Sequence, residues 1–135
     1  MDKQIWLNLA SKDLEKTRKF YEGIGASIHE KSPPNLISVV IGEMNLMINF
    51  FAIDEFAGFV RNTPCDPHKS NEIIFSLGVH DRSEVDLWAK RVVTAGGEIF
   101  SKPQEIQGWM YNCAFSDPDG HNWNVMYMDL DKVPS

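Results

Sequence analysis

The chain has 135 residues, 43% of them apolar and 24% charged, enough for one domain with its own core and too few for two independent ones. Its net charge is −6, with Lys and Arg scattered rather than gathered into a stripe, which argues against nucleic acid as a partner because such affinity rests on neutralising phosphates. No apolar run approaches a membrane span, the start MDKQIWLN has no cleavable apolar segment, and Cys65 and Cys113 form neither a disulfide framework nor a CxxC pair, so a soluble cytoplasmic chain with reduced thiols is expected.

Residues 4–10 alternate Ile5, Leu7 and Leu9 with Trp6 and Asn8, the pattern of a half-buried strand. At Ser11, a capping residue, the period becomes helical through Leu14, Thr17, Phe20 and Tyr21, and Gly23 and Gly25 end it. Residues 26–31 read as a short strand that Pro33 and Pro34 break, and residues 36–41 are a β-branched run. Residues 44–51 alternate Leu46, Ile48 and Phe50 with Asn45, Met47 and Asn49. A long connector follows over residues 52–70, with Gly58, Pro64 and Pro67 and no sustained period, although Phe56, Phe59 and Val60 suggest a short packed turn within it. Residues 72–79 then read as a strand, and a helix capped by Asp81 or Ser83 comes next. Three further strands fall at 98–102, 109–116 and 121–128, separated by a loop over 103–108 and by the Asp117-Pro118-Asp119-Gly120 turn. In the last strand Trp123, Val125 and Tyr127 share one face, and Asn122, Asn124 and Met126 share the other.

The order strand, helix, three strands is thus written twice, predicting an α+β fold of two similar modules, about 3–51 and 72–129, joined by a connector at about 52–71. In each module the apolar strand face should pack on that module's helix, leaving the opposite faces to meet or to enclose a space. Those opposite faces carry Trp6, Asn8, Asn45, Met47, Asn49, Ile74, Ser76, Asn122, Asn124 and Met126. Amides left unpaired in an interior cost about 1–3 kcal/mol each, so a wet pocket is the simpler account of so many asparagines. Met and Trp beside amides suit a flat, partly apolar, uncharged ligand. Trp109 and Tyr111 from the seventh strand are further candidates, as is Arg61 from the connector.

Other chemistry finds less support in the residues. His29, His68, His80 and His121 converge in no ligand motif. The DPDG turn is not a calcium loop, because Pro118 interrupts it and Met128 stands where the later acidic ligand would be needed. No pattern places a histidine with Cys113, which reads as a small buried hydrophobe.

Three stretches, LNLASKDLEKTRKFYEGIGA, AKRVVTAGGEIFSKP and FSDPDGHNWNVMYMD, together make the chain resemble the vicinal oxygen chelate superfamily of glyoxalases, bleomycin- and fosfomycin-resistance proteins and extradiol dioxygenases. The resemblance implies paired βαβββ modules whose sheets curl into a cup-shaped mixed sheet, commonly in a homodimer. In metal-dependent members His and Glu face the cup from the first and fourth strands of each module. The matching positions here are Trp6, Met47, Ile74 and Asn124, and a step along the same faces offers Asn8, Asn49, Ser76 and Met126. None supplies the imidazole or carboxylate that divalent transition metals favour. The expectation is therefore a protein that binds a small organic ligand with no metal or cofactor and needs no catalysis. The alternative is a lyase, isomerase or dioxygenase with atypical metal or acid-base groups. Whether the modules close on each other or exchange with a partner chain is open at this stage.

Overall fold

In the computed structural model, which describes residues 4–29 and 33–134, each half of the chain opens with a strand that hands over to a helix. β1 (Trp6–Ser11) leads into α1 (Leu14–Gly23), and β5 (Ile74–Gly78) into α3 (Arg82–Thr94). Both handovers use an aspartate cap: Asp13 accepts from the backbone N–H groups of Glu15 and Lys16, and Asp81 from that of Glu84. Asp81 is one of the two caps expected there. Ser11 is not a cap, because it lies in the extended backbone that closes β1, and its hydroxyl sits 2.6 Å from that of Thr17.

The first module continues through β2 (Ser27–Ile28), β3 (Leu36–Ile41) and β4 (Leu46–Ala52), and the second through β6 (Glu98–Ile106), β7 (Met110–Ser116) and β8 (Asn122–Met128). Residues 30 and 31 of the expected second strand lie outside the described residues. The connector contains a helix, α2 (Ile53–Phe59), where Phe56 and Phe59 hinted at a packed turn; two turns are too few for a helical period to show. β6 runs past Pro103, which had been expected to open a loop. It is an edge strand with an irregular register between Ile99 and Gln104, and a proline there removes no ladder bond that the sheet needs.

The strands form two mixed four-stranded sheets, ordered β1-β4-β3-β2 and β5-β8-β7-β6. β1 is parallel to β4 and β5 to β8, and all other neighbours are antiparallel. Among the described residues no ladder joins the sheets, so β1 and β5 each pair on one side only.

One core serves both modules. Ile37, Val39, Ile41, Ile48 and Phe50 from the first sheet cluster with Phe75, Cys113, Phe115, Trp123 and Val125 from the second and with Phe20, Tyr21, Val85 and Val92 from the helices. Tyr21 is the bridge: its ring lies 4.9 Å from that of Phe50, and its hydroxyl accepts a hydrogen bond from Trp123 Nε1 at 3.1 Å. Trp123 in turn stacks parallel to Phe115 and packs 4.8 Å from Phe75. Both sheets therefore turn their helix-side faces inward to one cluster, and their other faces turn away from it. Among the described residues no helix is long and apolar enough to cross a membrane.

Candidate ligand site on the outer sheet faces

The register sorts the outer faces into rows. In the first sheet Trp6 lies opposite Met47 and Met47 opposite Val40, while Asn8 faces Asn49 and Asn49 faces Ser38. The second row is hydrogen-bonded across three strands: Ser38 Oγ donates to Asn49 Oδ1 at 2.7 Å, and Asn49 Nδ2 donates to Asn8 Oδ1 at 3.1 Å. Ser38 was not singled out from the sequence because it is one polar residue inside an apolar run. In the second sheet Ile74 faces Asn122, which faces Ser116; Ser76 faces Asn124, which faces Ala114; and Met126 faces Asn112. Ser116 Oγ donates to Asn122 Oδ1 at 3.3 Å. The Asn124 Oδ1 is buried and has no hydrogen-bond partner among the described residues.

Trp6, Asn8, Met47, Asn49, Ile74, Ser76, Asn122, Asn124 and Met126 thus lie on outer faces, in the alternation expected. Trp6 and Ile74, on the unpaired edge strands, are about half exposed at 49% and 48%. Within one chain the two sets stay on separate sheets. Four other candidates lie elsewhere. Asn45 is exposed in the β3–β4 turn with φ of 56°, because the strand begins only at Leu46. Tyr111 has the opposite parity: it pairs with Tyr127 on the helix side, donates its hydroxyl to Asp86 at 2.7 Å and lies under the Arg82 guanidinium. Trp109 precedes β7, and its buried Nε1 has no partner among the described residues. Arg61 is exposed in the bend after α2.

The Asp117–His121 turn is buried and occupied with structural work. Asp117 accepts from the Tyr21 hydroxyl and from the backbone N–H groups of Asp119 and His121, and Asp119 accepts from Lys12 N–H and the Thr17 hydroxyl. His121 donates Nε2–H to the Ala10 carbonyl at 2.8 Å. Asp117, Asp119 and His121 bring ligand atoms within 4.8 Å of one another, close enough for a cation. Their hydrogen bonds instead tie the second module's turn to the β1–α1 junction of the first. Burial pushes the Tyr21 hydroxyl well up, with Asp117 adding to it, and keeps it a protonated donor. Burial also raises Asp117, against the opposing pull of His121 and the Tyr21 bond.

The remaining titratable candidates are dispersed. His68 Nε2 lies 3.1 Å from the Pro118 carbonyl, and His80 Nε2 lies 3.0 Å from Glu43, whose hydrogen bond lifts the imidazole above its ordinary value. Cys113 is fully buried, its thiol pushed up to about 11 chiefly by burial, which leaves no thiolate for nucleophilic chemistry. Two hollows adjoin the outer faces. A cleft of about 620 Å³ runs along β5 beside the β3–β4 hairpin and includes Ile74 and Ser76 in its wall, and a cavity of about 230 Å³ under the connector touches Asn122, His121 and Cys65.

Paired βαβββ modules with polar outer sheet faces define the class, and similarity to known proteins defines it further. Residues 3–125 match the Glyoxalase/Bleomycin resistance protein/Dioxygenase superfamily, and the chain belongs to that family. Among solved structures it is similar to hypothetical protein SA1046 from S. aureus, at 30% identity and a TM-score of 0.83 over 94% of this chain and 95% of that one. A glyoxalase-related enzyme from Fulvimarina pelagi shares the fold at 21% identity and a TM-score of 0.77, over 92% of this chain and 87% of that one. So does the fosfomycin resistance protein FosX from Listeria monocytogenes in complex with Mn(II) and sulfate, at 20% identity and a TM-score of 0.68, over 97% and 94%. No curated protein sequence matches the chain.

The residues here do not fit a metal of the kind that metal-dependent members hold. Trp6 and Met47 are neighbours, whereas Ile74 lies opposite Asn122, and Asn124 opposite Ser76. The set offers one thioether and one amide oxygen and neither imidazole nor carboxylate, a poor donor set for a divalent transition ion.

Proposed function

We propose that this glyoxalase-family chain is a metal-independent, cytoplasmic binding protein that holds a small, largely uncharged organic molecule against its outer sheet faces. A homodimer would bring the first module's face in one protomer to the second module's face in its partner, completing a cup that one chain leaves open. The observation that carries this reading is the chemistry of six of the eight strands. None of the outer-face residues of β1, β3, β4, β5, β7 and β8 is His, Cys, Asp, Glu, Lys or Arg, in a chain with 13 basic and 19 acidic residues. Such a surface has no group to ligate a metal, move a proton or pair a charged ligand, and it has amides to orient a neutral one. The unpaired edges of β1 and β5, with Trp6 and Ile74 half exposed beside them, support pairing with a second copy.

Native mass spectrometry of freshly purified protein tests both parts at once. The expected spectrum is a dimer with no stoichiometric metal, carrying a small neutral adduct that Trp6→Ala releases while the dimer persists. One tightly bound Ni, Zn, Mn or Fe per chain would overturn the reading.

A further inference from the structure

We propose that the cavity under the connector is a second binding site, shaped for one neutral aromatic ring such as a phenol. It lies at the edge of β1, shares Asn122 with the outer-face site and is otherwise separate from it, so the failure of either reading leaves the other standing. Its floor is Leu9 and Ala10 of β1 with Asn122 of β8, and the connector and the residues leading into β5 roof it with Phe56, Pro67 and Ile73. The roof is fastened at the Asp117–His121 turn and the β1–α1 junction. Lys12 pairs with Asp66 at 3.6 Å, and His68 Nε2–H donates to the Pro118 carbonyl at 3.1 Å. Gly120 lets the connector approach so near that a Cβ there would lie 2.6 Å from the His68 backbone nitrogen. The repeat supplies the contrast. The corresponding cleft of the other half, between β5 and the β3–β4 turn, has no connector residue in its wall and measures about 620 Å³. One of two equivalent clefts is thus roofed, and it measures about 230 Å³.

Size and polarity fix the ligand class. Drug-sized molecules occupy about 300–1,000 Å³, whereas an apolar cavity of about 150 Å³ takes up benzene, so about 230 Å³ suits one ring with small substituents. The wall contains neither Lys nor Arg, and its one acidic residue, Glu72, is exposed to water. An anion would lose its hydration without gaining a counter-charge, and a cation would meet a carboxylate that water already screens. A phenol instead brings an apolar ring to Leu9, Phe56 and Ile73 and a hydroxyl, able both to donate and to accept, to a wall that includes Ser70, Asn71 and Asn122.

The test titrates ¹⁵N-labelled full-length protein with p-cresol, 2-naphthol or p-toluate and follows the backbone amide signals. p-Cresol should shift Asn71, Ile73 and Asn122 saturably and leave Trp6 and Met47 in place. 2-Naphthol, with a second ring to accommodate, and p-toluate, with a charge to bury, should each bind at least about tenfold more weakly. Ala10→Leu fills part of the cavity from its floor and should weaken p-cresol by about tenfold, its own spectrum reporting whether it folds. Should that variant fail to fold, the wild-type ratios decide. Equal binding of p-cresol and 2-naphthol, tighter binding of p-toluate, or p-cresol shifts confined to Trp6 and Met47 would overturn the proposal, as would the lack of any saturable shift at the cavity amides.

Discussion

The two modules make their last hairpin with unlike turns. In the first module Gly42 to Asn45 is exposed, with positive φ at both ends, and Glu43 there pairs with His80. In the second module Asp117, Asp119 and Gly120 are buried, and with His121 they hold the first module through three side-chain bonds of Asp117 and Asp119, to Tyr21, Lys12 and Thr17, and one of His121 to Ala10, while two more bonds to Asp117 brace the turn itself. Equivalent places in a repeat have thus taken different duties. One turn only reverses the chain, and the other fastens module to module. Solvent competes for every group in the first turn, whereas in the second each polar atom must find its partner inside the protein, so its geometry is far more constrained.

The sharpest way to break this contrast is to add one methyl group to each turn. A Cβ at Gly120 would meet His68 N at 2.6 Å and the Pro67 carbonyl carbon at 2.8 Å, on a backbone with φ of 96°. At Gly42 φ is 82°, but the nearest atom is Leu77 Cδ1 at 3.7 Å. Gly120→Ala should therefore cost about 2–5 kcal/mol, from overpacking against backbone plus left-handed strain, and Gly42→Ala about 1–2 kcal/mol from strain alone. Urea unfolding of the two variants measures the difference, and equal losses would show the turns to be equivalent after all.

A smaller effect is expected at Asp117. Asp117→Asn keeps the shape but gives one of three donors no acceptor, a loss of about 1–3 kcal/mol. The pH dependence carries the sign of burial. Because the folded carboxyl binds its proton more tightly than the unfolded one, its contribution to stability is fullest below the ordinary carboxylate value and declines as pH rises through the raised value. The gap between wild type and variant should accordingly be wider at about pH 3.5 than at pH 7.

The smallest effect belongs to the exposed turn. Glu43 raises His80 by a hydrogen bond, so this pair favours the fold below the ordinary histidine value and the contribution fades as pH rises through the lifted one. Both side chains are largely exposed, and such pairs contribute little to stability. Glu43→Gln should leave the unfolding midpoint unchanged while lowering the His80 titration followed by NMR. A measurable destabilisation would mean that the first turn also fastens the modules.

Where the sequence was legible, one physical constraint acted alone. The alternation in β1, β4, β5 and β8 placed Trp6, Asn8, Met47, Asn49, Ile74, Ser76, Asn122, Asn124 and Met126 on their faces, because a strand packed on one side must segregate its side chains with period two. In β7 no such reading was available. Met110 to Ser116 mixes apolar and small residues on both faces, and Tyr111 looked like a ligand contact until Asp86 and Arg82 of α3 claimed it. Asn112, which does face outward, was hidden by the same ambiguity.

By itself, then, the sequence determined the two βαβββ modules, the α+β class and the family, all of which follow from local period and residue chemistry. Only the tertiary structure decided that the two helix-side faces share one core, that the outer faces stay on separate sheets, and that Asp117, Asp119 and His121 clasp the modules. Those outcomes depend on contacts between residues about a hundred positions apart, such as Tyr21 with Asp117 and Thr17 with Asp119, which no local pattern encodes.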